Sequence, residues 1–391
     1  MRWISNVRLP LTRRCSHGGD RRWRVAVDGD GWITALEPIP AGSSAAGDDW
    51  AGDWLSPAGV DLQINGGLGL AFPELSEADL PRLLELLELL WRDGVEAICP
   101  TLVTCGVAPL RQALAVLEQA RLQHRDGRCL LLGAHLEGPF LNPSRRGAHP
   151  AQHLAAPSSE ALAERIGGFE DQIDLVTLAP ELAGADAVIA ALRQRGIVVS
   201  LGHSAAGEAE AAAAFDAGVA MLTHSFNAMA GLHHRSPGPV AAALLHGEIA
   251  LGLIADGVHV HPSMARLLQR LGPEQVVLVS DALAPYGLGE GRHRWDERVL
   301  LVEDGSCRLE DGTLAGVTLP LLEGVRRLAR WSGEPGRAIA AATVLPRRVL
   351  GDQRSCEAML IGTPLRETLR WREQPSGLSW QRPAGAAGFA D

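Results

Sequence analysis

The chain contains no lysine: all 36 of its basic residues are arginine. With no side-chain amine it cannot hold a Schiff base, which excludes pyridoxal-phosphate chemistry in its usual form. The Walker A lysine of phosphate-binding loops is excluded too, as is a carboxylated lysine bridging two metals. Cysteine is sparse. The six, Cys15, Cys99, Cys105, Cys129, Cys307 and Cys356, include no C-x-x-C pair, and a chain of this size needs no disulfide staples, so reduced thiols in the cytoplasm are expected. Residues 1–10 lack the apolar core of a signal peptide. No apolar run approaches the roughly 18 residues of a membrane span, so no membrane partner is expected. An excess of basic charge is missing as well. Acidic residues number 46, giving a formal charge of −10, which argues against nucleic acid or an anionic membrane as the main partner.

What is present is a core. Hydrophobic residues make up 46% of 391 and charged ones 21%, so the chain is globular and not disordered. At roughly 150 residues per domain, that length suits two or three domains, or one large α/β barrel with an appendage. Up to Leu55 the sequence is short apolar pieces broken by Gly and Asp. Arg24–Val27 and Trp32–Leu36 flank Asp28-Gly29-Asp30-Gly31, a hairpin signal, and Ala41–Asp53 reads as a loop. Beyond it come eight short apolar runs: Val60–Gln63, Val95–Thr101, Cys129–His135, Ile173–Leu178, Ile197–Leu201, Val219–Thr223, Ile249–Ile254 and Val276–Val279. Stretches with helical periodicity lie between them, such as Glu77–Trp91, Leu110–Leu122, Gly207–Phe215 and Pro262–Leu271, and two more helices follow at Leu319–Trp331 and Arg337–Leu350. Apolar strands alternating with helices form parallel βαβ units. Eight of them predict an α/β fold, a (β/α)8 TIM-type barrel, over an open doubly wound sheet. The expected organisation is a barrel over 56–350, with 1–55 and 351–391 forming a small β-sandwich-like domain. Its C-terminal half reads as degenerate, with weak strand signals and a disordered-looking end.

Polar residues stand where the apolar runs stop: Gln63 and Asn65 after the first, Glu137 after the third, His203 after the fifth, His224 after the sixth, Asp256 and His259 after the seventh, and Asp281 after the eighth. A barrel gathers these ends around one rim, the face where active sites are built. Two imidazoles and a carboxylate (Glu137, His203 and His224) are the ligand set of many hydrolytic zinc sites, where the ion lowers the pKa of a coordinated water. Asp281 is a free carboxylate able to accept the water's proton and deliver it to a leaving group.

The chain resembles the N-acetylglucosamine-6-phosphate deacetylases of the amidohydrolase superfamily. The resemblance rests on S-P-A-G-V-D-L-Q-I-N-G (56–66), H-L-E-G-P-F-L-N-P-S-R-R-G-A-H (135–149), G-H-S (202–204), T-H-S-F-N-A-M (223–229), H-H-R-S-P-G (233–238), A-D-G-V-H-V (255–260), S-D-A (280–282) and G-T-L-A-G (312–316), in family order. It implies hydrolysis of the 2-acetamido group of N-acetyl-D-glucosamine 6-phosphate to D-glucosamine 6-phosphate and acetate. Glu137, His203 and His224 would hold one divalent metal, zinc first and iron second. Asp281 would be the proton shuttle, and His259 would help polarise the scissile carbonyl. Ala148, Asn227, Ala228, Arg235, His259 and the Leu314-Ala315-Gly316 backbone would line the sugar-phosphate pocket. The arginine would reach a neighbouring subunit's pocket in a homodimer. His149, His233, His234 and His261 read as surface or supporting residues, and His135 as structural.

Many amidohydrolases carry H-x-H after the first strand, holding a second metal. Here those positions are Gln63 and Asn65, amides that ligate transition metals poorly beside imidazole, so one metal per chain is expected. Ala58-Gly59, Ser236 and Val317 depart from the family pattern, and residues 351–361 lack its G-x-I-x-x-G closing segment. These departures touch substrate preference and stability more than chemistry. Two alternatives remain: the same reaction on N-acetylgalactosamine 6-phosphate, and a metal-stabilised sugar-phosphate sensor. Retention of Asp281 counts against the sensor.

Overall fold

A computed structural model describes residues 1–10, 21–40, 46–295 and 298–384. Cys15 and the start of the 41–53 loop therefore lie outside the described residues, as does the end of the tail. Eight parallel strands form the barrel, in chain order: Gly59–Ile64, Val95–Val103, Ala134–Glu137, Ile173–Leu178, Val198–Leu201, Met221–Leu222, Ala250–Leu253 and Val276–Leu278. Each pairs with its neighbour in sequence. The ring closes just past the eighth strand, where Asp281 N donates to Gln63 O (2.8 Å) and Asn65 N to Ala282 O (2.7 Å). These strands are rich in Val, Ile and Leu because helices cover them outside and side chains fill them inside. The first is buried along its whole length. One apolar cluster spans the barrel interior and its helices, from Val60 and Ile98 to Leu328 and Ile339.

Strand and helix ends shift by a few residues from the sequence reading. The third apolar run divides. Leu130–Leu131 pairs at the edge with the second strand, and Ala134–Glu137 takes the barrel position, so Glu137 ends that strand and does not follow it. The helix expected over 337–350 is two, Pro335–Thr343 and Leu345–Val349. Pro346 has no N–H for an unbroken helix, and a new first turn is where proline fits. Helices Ser159–Ile166, Ala185–Gln194 and Gly238–His246 also cover the barrel.

Two further regions correct the sequence reading. Gly291–Trp295, Arg298–Glu303, Ser306–Leu309 and Leu314–Val317 form an antiparallel sheet inserted after the eighth strand, which the sequence reading did not anticipate, and the G-T-L-A-G segment enters its last strand. The C-terminal segment is not degenerate. Leu369–Gln374 and Gly377–Gln381 pair with each other and with Trp54–Ser56, and buried Trp371 donates its indole N–H to Ser56 Oγ (2.9 Å). A second sheet joins Ile33–Ile39, Arg22–Val27, Arg2–Val7 and the two-residue strand Asp48–Asp49, which falls within the expected loop. A separate core ties this sheet to the C-terminal segment: Ile4, Val25, Ile33 and Trp50 pack with Cys356, Met359 and Leu360.

Candidate metal centre and active site

Three strand ends bring Glu137, His203 and His224 to one point. His203 Nε2 lies 3.2 Å and His224 Nε2 3.0 Å from Glu137 Oε1, and the two ring nitrogens are 3.1 Å apart. Tetrahedral bonds of 2.0–2.2 Å separate neighbouring ligand atoms by about 3.3 Å, so this triangle fits a zinc-sized ion. All three side chains are buried. His203 is aimed by its other nitrogen, Nδ1, 2.9 Å from Arg145 O, the usual second contact of a metal-ligating imidazole. Burial acts against the charge of Glu137, but hydrogen bonds from His203 and His224 outweigh it and hold the carboxyl well below the usual range.

The backbone that aims these groups is strained. His203, His224 and Asp281 have φ of +47°, +28° and +51°, and Phe226 and Ala228 share the left-handed region. Non-glycine residues rarely adopt it, and they persist there when the surroundings over-determine the conformation. Beneath the rim, a polar layer crosses the barrel. His135 Nε2 lies 2.7 Å from Thr177 Oγ1, which is 2.6 Å from Thr223 Oγ1, itself 2.6 Å from Ser200 Oγ. His135 thus sits below the site, and burial first of all lowers its pKa to about 4.

Asp281 stands beside the triangle. One amide nitrogen, Gln63 Nε2, is 3.2 Å from Glu137 Oε1 and 3.3 Å from Asp281 Oδ1, so it touches both carboxylates. Burial, then the charge of Glu137, pushes Asp281 up to about 8. A divalent cation among the donors opposes the effect of Glu137 and favours the ionised form. Below it, buried Asp61 accepts from Ser280 N (3.1 Å) and Gln63 N (3.2 Å), pinning the seam between the first and eighth strands. His259 projects from the loop after the seventh strand. Its Nδ1 is 2.7 Å from Asp256 Oδ2, which leaves Nε2 for the cavity. Burial acts to raise Asp256, but the His259 contact prevails and its carboxyl lies below the ordinary range.

A cavity of about 310 Å³ opens over these groups, lined also by Asn65, Ala148, Asn227, Ala228, Leu314 and Ala315. Gly316 lies behind it: a Cβ there would come within 2.7 Å of Asp281 O. Arg235 is exposed and outside this lining, whereas Arg145 belongs to it. His233, His234 and His261 are exposed too. His149 is not a surface residue. It is buried, with Nε2 3.8 Å from Glu137 Oε2 and Nδ1 2.9 Å from Thr104 Oγ1. Glu137, His149 and His203 form a looser candidate metal cluster, but the triangle completed by His224 is tighter. Burial first, then His203, lowers the His149 pKa to about 3, so it is a neutral hydrogen-bonding group facing the site. The only sequence signal for it was its place in the G-A-H end of the 135–149 stretch.

The sequence profile of the amidohydrolase family matches residues 54–355. The chain is 36% identical over 334 residues to an N-acetylgalactosamine-6-phosphate deacetylase of Escherichia coli O157:H7, covering 85% of each chain. It is 34% identical over 355 residues to an N-acetylglucosamine-6-phosphate deacetylase of Vibrio furnissii, covering 90% of this chain and 88% of that one. The crystal structure of the Thermotoga maritima N-acetylglucosamine-6-phosphate deacetylase superposes with a TM-score of 0.78 at 28% identity over 94% of both chains. With its barrel, its strand-end donors and these relatives agreeing, the chain belongs to the amidohydrolase family.

Proposed function

We propose that the chain hydrolyses the acetamido group of N-acetyl-D-glucosamine 6-phosphate, giving D-glucosamine 6-phosphate and acetate. The observation that carries the reading is the three-donor triangle of Glu137, His203 and His224 with Asp281 beside it, joined through Gln63 Nε2, at the floor of a cavity of about 310 Å³. A divalent ion held there supplies Lewis acidity and an activated water. Asp281 takes the proton of the attacking water and returns it to the departing amine nitrogen. His259, oriented by Asp256, donates to the carbonyl oxygen as charge builds on it. Ala148, Asn227, Ala228 and the backbone of Leu314 and Ala315 hold the sugar, with Gly316 behind them. Zinc suits the donor set first and iron second, and the described cysteines, four of the five buried and none in a disulfide, are consistent with a cytoplasmic enzyme. The same reading divides the chain into a catalytic barrel, 56–350, and a small β unit from 1–55 and 351–391.

The Escherichia coli relative favours a second reading with the same chemistry on the galactosamine epimer. Acetate release by purified protein, measured on both 6-phosphates, decides between them. Release from neither overturns the enzymatic reading and favours a sensor.

The metal count follows from Gln63 and Asn65. One ion per chain is expected by elemental analysis, and chelation should abolish acetate release, with recovery on adding back one equivalent. Two tightly held ions, with activity tracking the second, would contradict it.

A further inference from the structure

The amides that replace the second-metal histidines hold the proton shuttle. Asn65 Nδ2 is 2.7 Å from Asp281 Oδ1, and Gln63 Nε2 is 3.3 Å from the same oxygen. Neither bond uses Oδ2. The oxygens of both amides, Gln63 Oε1 and Asn65 Oδ1, are buried with no hydrogen-bond partner among the described residues. Buried amides normally satisfy both ends, so the orientation is set by the nitrogen side. An ionised carboxylate only accepts, so each amide must turn its NH2 toward Asp281. The backbone adds to this. Asp281 N donates to Gln63 O, Asn65 N donates to Ala282 O, and Val317 N donates to Asp281 O at 3.2 Å. Main-chain bonds therefore fix the Cα of a residue at φ +51°, and the two amides fix its side chain.

We propose that Asn65, assisted by Gln63, is a positioning residue for the deacetylation, clamping Asp281 Oδ1 so that Oδ2 is left to carry the proton. This rests on the function proposed above. In this chain the first-strand amides do by hydrogen bonding what a second cation would do by charge: they orient the carboxylate and stabilise its ionised form while leaving one oxygen unencumbered.

The test is a double-mutant cycle between Asn65→Leu, close in size but without a donor, and Asp281→Asn. A hydrogen bond to a charged group corresponds to about tenfold to a hundredfold in rate. Asn65→Leu should lower kcat by that factor, with KM, metal content and melting temperature unchanged. In the Asp281→Asn background it should cost nothing further, because the group it positions is already disabled. An equal loss in both backgrounds, or no loss in either, overturns the proposal. Asn65→Asp, which keeps the shape and sets an acceptor against the carboxylate, should be at least as slow; full activity would also overturn it. A crystal structure of Asn65→Leu supplies a readout that needs no turnover. The Asp281 carboxylate should leave its wild-type rotamer, and an unmoved side chain contradicts the clamp. If wild-type protein releases no acetate, the proposed function fails, and the crystallographic arm still decides whether Asn65 holds Asp281.

Discussion

Asp281→Asn is expected to keep its metal and its fold while losing about 10²–10⁴-fold in kcat, the range that general acid–base help supplies. The substituted amide fills the same space at the end of the eighth strand, and the seam bonds from Asp281 N to Gln63 O and from Val317 N to Asp281 O are made by the backbone, so they survive. The ligand triangle does not include this side chain. What disappears is the carboxylate that stands beside the triangle without being one of its three donors. An asparagine cannot accept the water's proton or return it to the amine. Steady-state kinetics on metal-quantified protein measures the effect. Near-wild-type kcat with metal bound would remove Asp281 from the reaction.

The barrel was legible because parallel strands covered on both faces read as unbroken apolar runs, and all eight runs overlap a barrel strand. The candidate donor positions at the strand ends were legible for a related reason. A charged or imidazole side chain directly after such a run has nowhere to point but the rim. The inserted sheet at 291–317 escaped notice because its first strand, Gly291–Trp295, carries two arginines and a histidine and buries only Trp295. Its residues alternate in no pattern that a buried strand requires. The C-terminal strands were undervalued for a different reason. Leu369–Gln374 is mostly polar in sequence, and only its pairing with Trp54–Ser56, more than 300 positions earlier in the chain, shows why Trp371 is buried.

Within the site, sequence order hid what the closing seam creates. Gln63 and Asn65 were readable as positions lacking a second metal, but their contact with Asp281 exists only because the first strand meets the eighth. His149 follows no strand, and a lone loop histidine carries no signal of burial. The resemblance to the deacetylases named its stretch but not its place against Glu137 and Thr104.

Arg235→Ala is expected to raise KM for the phosphorylated sugar about thirtyfold or more while leaving the weak turnover of unphosphorylated N-acetylglucosamine nearly unchanged. A chain of formal charge −10 repels a dianion at long range, so affinity must come from local donors. A planar guanidinium that can grip two phosphate oxygens is the strongest of these, and losing a buried partner of that kind removes about 2–5 kcal/mol of binding. Arg235 lies exposed on the loop after the sixth strand and outside its own chain's cavity. It can serve a phosphate only across an interface, and that is the basis for proposing a homodimer with shared sites. The cavity's own arginine is Arg145, whose backbone oxygen already steadies His203. The two residues therefore give opposite outcomes. If the site is shared, Arg235→Ala selectively weakens the phosphorylated substrate and light scattering finds a dimer. If Arg145→Ala alone has that effect, and active protein is monomeric, the phosphate is bound within one chain and the shared site is wrong. Equal loss on both sugars in Arg235→Ala would assign that residue to the fold.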